Sequence, residues 1–140
     1  MATILDLMEN LKEFNIEVVA KQSIAATSNI MADMNRKQLR AGKKANGQEM
    51  PEYSYVSKDL FDKPDGGIQL FDTGAFHKSI QVDIGNDEFE FIADDIHDLE
   101  KRYSNEIYGI TQENKDNYSE NTVLPLIQKE LTDKTGLTFN

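Results

Sequence analysis

The first 39 residues carry apolar side chains at helical spacing. One stripe, at positions i, i+3, i+4 and i+7, consists of Ile4, Leu7, Met8 and Leu11. A second stripe runs at the same spacing from residue 20 toward Leu39. Thr3 is a good N-cap residue, whereas Asn15 is a poor residue for a helix interior. The pattern therefore predicts that residues 1–39 are helical, in two pieces that separate near Asn15.

A period of two residues, which is typical of a half-buried strand, begins at Ile80. Apolar and polar positions alternate as far as Ile84, and Gly85 and Asn86 give a turn signal. The alternation then resumes at Phe89. These features predict a β-hairpin over residues 79–93. Its outer face is expected to carry Gln81, Asp83, Glu88 and Glu90.

Ahead of the hairpin, the apolar run at residues 68–71 predicts a short strand. Thr73 and Gly74 then favour a tight turn, after which residues 75–79 can form one helical turn. Together with the hairpin, this run predicts that residues 68–93 form the β region of the fold.

The C-terminal part of the chain, residues 94–136, is predicted to be helical. A short helix starts near Asp94 or Asp95, where acidic side chains favour the helix dipole. Thr111 suits the N-cap of the next helix. Pro125 interrupts the apolar pattern of that helix, so we expect a kink or a helix that restarts close to it.

Residues 40–67 show no periodicity. Glycines and prolines punctuate them, at Gly42, Gly47, Pro51, Pro64, Gly66 and Gly67. A segment this long without regular structure is usually functional or disordered. Three aromatic side chains offer anchors for packing on a neighbour: Tyr53, Tyr55 and Phe61. We interpret the segment as an extended assembly loop that becomes ordered on assembly, because few apolar contacts offset its conformational entropy.

The pattern as a whole predicts an α+β fold with a long N-terminal helix, a small antiparallel sheet with a β-hairpin, and C-terminal helices. The length, 140 residues, is that of one ordinary domain, so we expect residues 1–140 to form a single domain. No stretch approaches the length of an apolar membrane span. Residues 1–12 lack the basic start and apolar run of a signal peptide, so we expect neither feature.

Charge is segregated along the chain, which carries a net charge of −10. Residues 36–44 contain five Lys or Arg and no acid, whereas residues 81–100 contain eight Asp or Glu and no Lys or Arg. One interpretation is a pair of unlike surfaces suited to stacking on copies of the chain or on partners. The other is that both are solvated stretches that keep the protein in solution.

The residues offer little catalytic chemistry. The absence of cysteine excludes disulfides, thiolate metal sites and cysteine nucleophiles. His97 lies among Asp94, Asp95 and Asp98, but no second histidine stands at a metal-binding spacing, and helix-dipole stabilisation explains the aspartates. No phosphate-binding loop or nucleophile elbow occurs. We therefore predict no catalysis, no metal and no cofactor.

The basic residues 36–44 can contact phosphates in a sequence-independent way. The chain as a whole is acidic, however, and it has no recognisable helix-turn-helix, RNA-recognition or zinc motif. Independent specific DNA binding is therefore not expected. A ring of identical copies would repeat such a weak patch many times, and multivalency would strengthen it.

Residues 36–111 resemble the small head–tail joining and tail-completion (neck) proteins of tailed bacteriophages. In that family a long helix and a glycine-containing loop precede a strand and a Thr-Gly pattern. The matching positions here are Leu70, Thr73, Gly74, Ala75, Phe76, Ser79 and Ile80. The acidic hairpin at residues 80–92 and the segment 107–111 before the last helix are also similar to members of this family.

The resemblance implies a structural virion protein, assembled in the host cytoplasm, that forms a homo-oligomeric ring between portal and tail. Its expected partners are copies of itself and portal, tail or other neck proteins. DNA would only pass through the lumen, with no membrane, catalysis or cofactor. The expected assembly residues are Arg36, Lys37, Arg40, Lys43, Lys44, Tyr53, Tyr55, Phe61, Thr73, Gly74 and Phe76. The expected acidic face is Asp83, Glu88, Glu90, Asp94, Asp95 and Asp98.

An alternative remains at this stage. A small cytoplasmic binding or inhibitor module can use the acidic residues 81–100 as a mimic of nucleic acid. Such a module would bind a basic partner and would lose that binding when its aspartates are neutralised.

Overall fold

The computed structural model describes residues 3–51, 67–70, 74–86 and 88–136. They form a mixed α+β structure with a long helix near the N-terminus, a two-stranded antiparallel hairpin and C-terminal helices, as predicted. The chain divides into two compact units. The first consists of residues 1–27 and 116–140, and the second of residues 28–115.

In the first unit, helix α1 (Ile4–Glu13) begins with the cap that the sequence predicts. The Thr3 hydroxyl accepts from the Asp6 backbone N–H, and the Asp6 carboxylate accepts from the Thr3 N–H, which completes a capping box. Asn15 caps the N-terminus of helix α2 (Ile16–Arg40). Its side-chain oxygen accepts from the first-turn N–H groups of Glu17 and Val18.

The C-terminal helices follow in sequence as α5 (Gln112–Tyr118), a π-helical turn (Ser119–Val123) and α6 (Leu124–Thr135). Thr111 caps α5 as predicted, since its hydroxyl accepts from the Asn114 N–H. Pro125 lies in the first turn of α6. Proline lacks an N–H and is tolerated at that position, so the helix restarts there, as expected.

A hydroxyl pair fastens α2 to α5 inside the first unit. The Thr27 hydroxyl donates to the Ser23 carbonyl at 2.7 Å and lies 2.7 Å from the Tyr118 hydroxyl. Because Thr27 has one proton and directs it to Ser23, Tyr118 is the donor of the second bond. Burial raises the pKa of the Tyr118 hydroxyl. α6 also packs against α1 in this unit.

The second unit is built around the C-terminal part of α2. Its buried apolar cluster consists of Ala32, Leu39, Met50, Leu70, Ile80 and Ile107. Strands β1 (Gln81–Ile84) and β2 (Phe89–Ile92) pair in antiparallel register, which confirms the predicted hairpin. Val82 and Phe91 face each other on the side that packs against the cluster.

The predicted strand at residues 68–71 differs from the structure, in which the described residues 67–70 belong to no strand. Leu70 is buried and has a left-handed backbone with φ of 54°, which a strand cannot accommodate. Tertiary burial therefore explains the apolar run. Helix α3 (Ala75–Ser79) follows Gly74, whose φ of 85° suits glycine at this turn, as predicted.

The short helix predicted to start near Asp94 or Asp95 is present as two pieces, α4 (Leu99–Tyr103) and a 3₁₀ turn (Asn105–Ile107). Ser104 separates them with a φ of 79°, which interrupts the helix. None of the helices in the described ranges combines the length and apolarity needed to cross a bilayer.

Candidate functional site

Two side-chain amides of α2 hold residues 107–111, the segment that precedes α5. Asn35 is fully buried; its amide nitrogen donates to the Ile107 carbonyl at 3.0 Å and its oxygen accepts from the Gly109 N–H at 3.2 Å. One turn later, Gln38 donates to the Gly109 carbonyl and accepts from the Thr111 N–H. Both amides satisfy backbone groups that would otherwise be buried without partners, so they fix this segment on α2.

Arg36, on the same helix, binds backbone carbonyl groups at the end of α3. Its Nε donates to the His77 carbonyl and its Nη2 to the Ile80 carbonyl, each at 2.6 Å, which satisfies two acceptors at the end of α3. Its Nη1 pairs with the exposed Asp33 carboxylate at 2.6 Å. Because the guanidinium is occupied within its own chain, we omit Arg36 from the interface proposed below.

His77 is buried at 1% exposure in α3. Its Nε2 lies 2.7 Å from the Gln69 carbonyl oxygen, which can only accept, so Nε2 carries a proton. Burial lowers the pKa of His77, the hydrogen bond to Gln69 opposes this, and the charges of Arg40 and Arg36 add to the lowering. The imidazole is therefore a neutral packing element of the fold.

Residues 41–51, the first part of the predicted assembly loop, are ordered within the single chain. They form a tight turn in which Lys43 and Glu49 make an antiparallel bridge, and the Ala45 N–H donates to the Glu106 carbonyl at 2.7 Å. Met50 is buried in the core cluster. The expectation that the loop orders only on assembly is therefore corrected for residues 41–51, because these contacts offset their conformational entropy.

The turn closes at a contact between two glycines. A Cβ on Gly67 would lie 2.7 Å from the Gly42 carbonyl oxygen and 3.0 Å from that of Met50, so only glycine fits without displacement. The Ile68 N–H also donates to the Pro51 carbonyl at 2.7 Å. The ends of the segment between residues 51 and 67 are therefore held together at its base.

The remaining basic residues lie at the end of α2 and in the turn that follows. Lys37, Arg40 and Lys43 are exposed, and Lys44 is half-buried. Lys37 and Arg40 occupy the last turn of α2, where cations stabilise the helix dipole. Lys37, Arg40 and Lys43 form a cationic surface of the second unit, which we call the basic end of α2.

The hairpin carries an unusual acidic pair. Asp83 of β1 stands directly opposite Glu90 of β2, and both side chains are exposed. Directly opposed like charges destabilise a strand pair. Glu88, just before β2, is also exposed and follows the same two-residue alternation as Glu90. We call Asp83, Glu88 and Glu90 the acidic hairpin face.

The other predicted acidic residues have different surroundings. Asp94 is exposed, and its backbone N–H donates to the Ser79 hydroxyl at 2.9 Å. Asp95 caps α4, because its carboxylate accepts from the N–H groups of Leu99 and Glu100. Asp98 is exposed in a left-handed backbone conformation immediately before α4. Asp95 therefore serves the fold, and the sequence signal for this role was its place ahead of the helix.

A shallow, open depression beside α4 is lined by Asp95, Asp98, Glu100, Lys101 and Asn105. Within the described ranges, no group of three or more acidic or histidine side chains is arranged to hold a metal ion. Tyr108 lies close to this acidic region. Burial, followed by the charges of Asp95 and Glu100, raises the pKa of its phenol to about 12.

Several expected assembly residues take part in the fold or lie outside the described ranges. Gly74 is buried and Phe76 packs against the core cluster, with its ring centroid 6.3 Å from that of Tyr108. Tyr53, Tyr55, Phe61 and Thr73 lie outside the described residues. Sequence reasoning missed Asn35 and Gln38, whose only signal was two amides at i, i+3 beside apolar positions of a helix.

No known protein family matches the chain, and neither a characterised protein nor a solved structure is significantly similar to it.

Proposed function

We propose that this chain is a structural virion protein of a tailed bacteriophage, a ring-forming head–tail connector (neck) or tail-completion component that joins portal to tail. The observation that carries the proposal is that one unit, residues 28–115, bears two unlike charged surfaces, the basic end of α2 and the acidic hairpin face. A head-to-tail ring needs two different, complementary surfaces on each copy.

The electrostatics of the hairpin support this choice of interface. Asp83 and Glu90 repel each other in the isolated chain, since they are paired across the strands and exposed. Lysine side chains of a neighbouring copy would relieve that repulsion. An interface of this kind selects its partner by charge, so its strength falls as salt rises.

The resemblance to neck proteins is the second support. Its Thr-Gly pattern coincides with the framework of the second unit, where Gly74 starts α3 and Ile80 is fully buried. Ser79 connects that pattern to the residues that follow the hairpin, because its hydroxyl donates to the Phe76 carbonyl and accepts from the Asp94 N–H. The similar positions thus build a scaffold that presents the hairpin.

Charge reversal tests the interface. We expect the full-length protein to form rings that mass photometry and negative-stain microscopy detect, alone or with its portal protein. Lys37→Glu with Lys43→Glu should abolish the rings, and so should Asp83→Lys with Glu90→Lys. An equimolar mixture of the two variants should restore them, because each then offers the other a surface of opposite charge.

The control is Lys21→Glu with Lys129→Glu, which makes the same change of charge at exposed positions of the first unit. This variant should form rings like the unmodified protein. A protein that stays monomeric and binds neither portal nor tail components would overturn the proposed function. Rings that persist in both charge-reversed variants would instead refute the interface.

The acidic hairpin face also favours a second candidate, a binding module that mimics nucleic acid. Such a module would bind a DNA-binding protein in competition with duplex DNA, and Asp83→Asn, Glu88→Gln and Glu90→Gln together would abolish that binding. Asp95 is unsuitable for this test, because its carboxylate caps α4 and its loss would disturb the fold. Binding that survives neutralisation of the hairpin would exclude this candidate.

A further inference from the structure

The turn that follows α2 contains the dipeptide Asn46–Gly47, a sequence prone to loss of the side-chain amide. In this reaction the Gly47 backbone nitrogen gives up its proton and bonds to the Asn46 Cγ. The Cγ–Nδ2 bond breaks, and ammonia leaves with that proton. Water then opens the cyclic imide at either carbonyl group, which yields aspartate or isoaspartate. Both residues are exposed, so water reaches them, and glycine offers no side chain to hinder the attack.

The hydrogen bonds of this turn identify its type. The Gly47 N–H donates to the Lys44 carbonyl at 3.0 Å, and the Lys44 N–H donates to the Gln48 carbonyl at 2.8 Å. Ala45 and Asn46, the two central residues, have negative φ, whereas Gly47 has a φ of 86°. These are the features of a type I turn that is followed by a left-handed glycine, a common hairpin loop.

A type I turn keeps the two reacting atoms apart. The imide ring closes only when the Gly47 nitrogen lies nearly in line with the Asn46 Cβ, viewed along the Cα–C bond. The second central residue of a type I turn has a ψ of about 0°, which aligns that nitrogen with the Asn46 backbone nitrogen instead. The ring therefore forms only after about a third of a full rotation, which breaks the bond from the Gly47 N–H to the Lys44 carbonyl.

The same rotation separates Asn46 from a second set of partners. Its Oδ1 accepts from the Gln48 backbone N–H at 3.0 Å, and its Nδ2 donates to the Gln48 Oε1 at 3.2 Å. The turn is also anchored to the second unit, because the Ala45 N–H donates to the Glu106 carbonyl at 2.7 Å and Met50 is buried in the core cluster. Opening of the turn therefore breaks several contacts together.

We propose that the turn at residues 43–49 protects Asn46 from deamidation, so that this asparagine is a modification site that reacts only when the turn opens. The protection belongs to the single chain and does not depend on the proposed function. It preserves both structure and charge. Isoaspartate would add a carbon atom to the main chain inside the turn and displace the Lys43–Glu49 bridge, and either product would place a new carboxylate in the same turn as Lys43.

Ageing of the full-length protein tests the protection. The protein is held in mildly alkaline buffer, either folded or unfolded in guanidinium chloride, and peptide mass spectrometry follows the conversion of Asn46 to aspartate and isoaspartate. The folded protein should react at least about tenfold more slowly than the unfolded chain, because the turn must first open. Hydrogen exchange at the Gly47 N–H of the folded protein should be slowed as well, since the same bond must break.

A matched pair of variants separates the turn from the rest of the fold. Lys44→Pro removes the N–H that donates to the Gln48 carbonyl and leaves the Asn46–Gly47 sequence unchanged. The folded variant should therefore deamidate about two- to tenfold faster than the unmodified protein. Lys44→Ala loses the same side chain but keeps the N–H, so it should react at the unmodified rate. In denaturant all three proteins should react alike.

Two outcomes would overturn the proposal. One is an equal rate of deamidation at Asn46 in the folded and the unfolded unmodified protein. The other is an equal rate in the folded Lys44→Pro and Lys44→Ala variants, with folding checked by circular dichroism. If Lys44→Pro does not fold, the comparison of the folded and unfolded unmodified protein, together with hydrogen exchange at Gly47, still decides the question.

Discussion

Gly42 and Gly67 meet backbone to backbone at the base of the segment that joins residues 51 and 67. A Cβ on Gly42 would lie 2.9 Å from the Gly67 Cα, and one on Gly67 would lie 2.7 Å from the Gly42 carbonyl oxygen. Gly42 also has a φ of 72°, which side chains rarely adopt. The contact holds residues 42 and 67 of the second unit side by side.

Alanine at either glycine should destabilise the second unit. We expect Gly42→Ala and Gly67→Ala each to lower the free energy of unfolding by about 2–4 kcal/mol, because the new methyl group meets backbone atoms that cannot move independently. Urea denaturation measures the change. Gly47→Ala is the matched control: Gly47 has a φ of 86° but no atom near its Cβ position, so its cost should be only about 1 kcal/mol. Equal costs at Gly42 and Gly47 would contradict the close contact.

Asn35→Ala should destabilise the protein by about 2–4 kcal/mol. The substitution leaves the Ile107 carbonyl and the Gly109 N–H buried without their amide partners. Asn29→Ala changes an exposed asparagine of the same helix and should alter the free energy of unfolding by less than about 0.5 kcal/mol. Thermal or urea denaturation separates the two outcomes, and similar costs for both variants would show that the amide clamp contributes little.

Arg36→Lys should destabilise the chain although it keeps the charge. An ammonium group cannot reproduce the planar fork that reaches both the His77 and Ile80 carbonyls, so we expect a loss of about 1–3 kcal/mol. Asp33→Asn removes the exposed ion-pair partner of Arg36 and should cost less than about 1 kcal/mol. If Arg36→Lys unfolds at the same urea concentration as the unmodified protein, the guanidinium does not hold α3.

The stability of the protein should fall in mildly acidic solution because of His77. Its pKa is lowered in the folded protein, so below the ordinary value of 6.5 the unfolded chain binds more protons than the folded one. The stabilisation is therefore complete above that pH and is lost as the pH falls from 6.5 to the folded pKa. Urea denaturation between about pH 5 and 8 measures this slope.

His77→Gln should flatten this part of the pH profile. His97→Gln makes the same change of residue type at an exposed position and is the matched control for the substitution itself. Direct titration of the His77 ring by NMR gives an independent check, and a midpoint at or above 6.5 would contradict the lowered pKa.

Sequence reasoning recovered the features whose causes are local. Thr3 and Thr111 cap helices through side chains that bond to N–H groups three residues away, and the break predicted near Asn15 separates α1 from α2. The hairpin was also predictable from the sequence, because its two-residue period and its turn lie within one short stretch. These elements needed no information from distant parts of the chain.

Contacts between residues far apart in the chain could not be predicted from the sequence pattern. The apolar run at 68–71 suggested a strand, but Leu70 is buried in a left-handed conformation that only the packed core explains. Asn35 bonds to groups more than seventy residues away. Arg36 belongs to a basic run by sequence, yet it binds carbonyl groups of its own chain. Burial, rather than periodicity, decides each of these cases.

The π-helical turn at Ser119–Val123 determines the directions in which the side chains of α6 point. Its wider turn, with the Leu124 N–H bonded to the Ser119 carbonyl, holds one residue more than an α-helical turn. The side chains of α6 therefore point in directions about one residue out of step with those of α5. A single added residue thus determines which side of α6 packs against α1. It also determines that Leu124 and Leu126 are exposed to water.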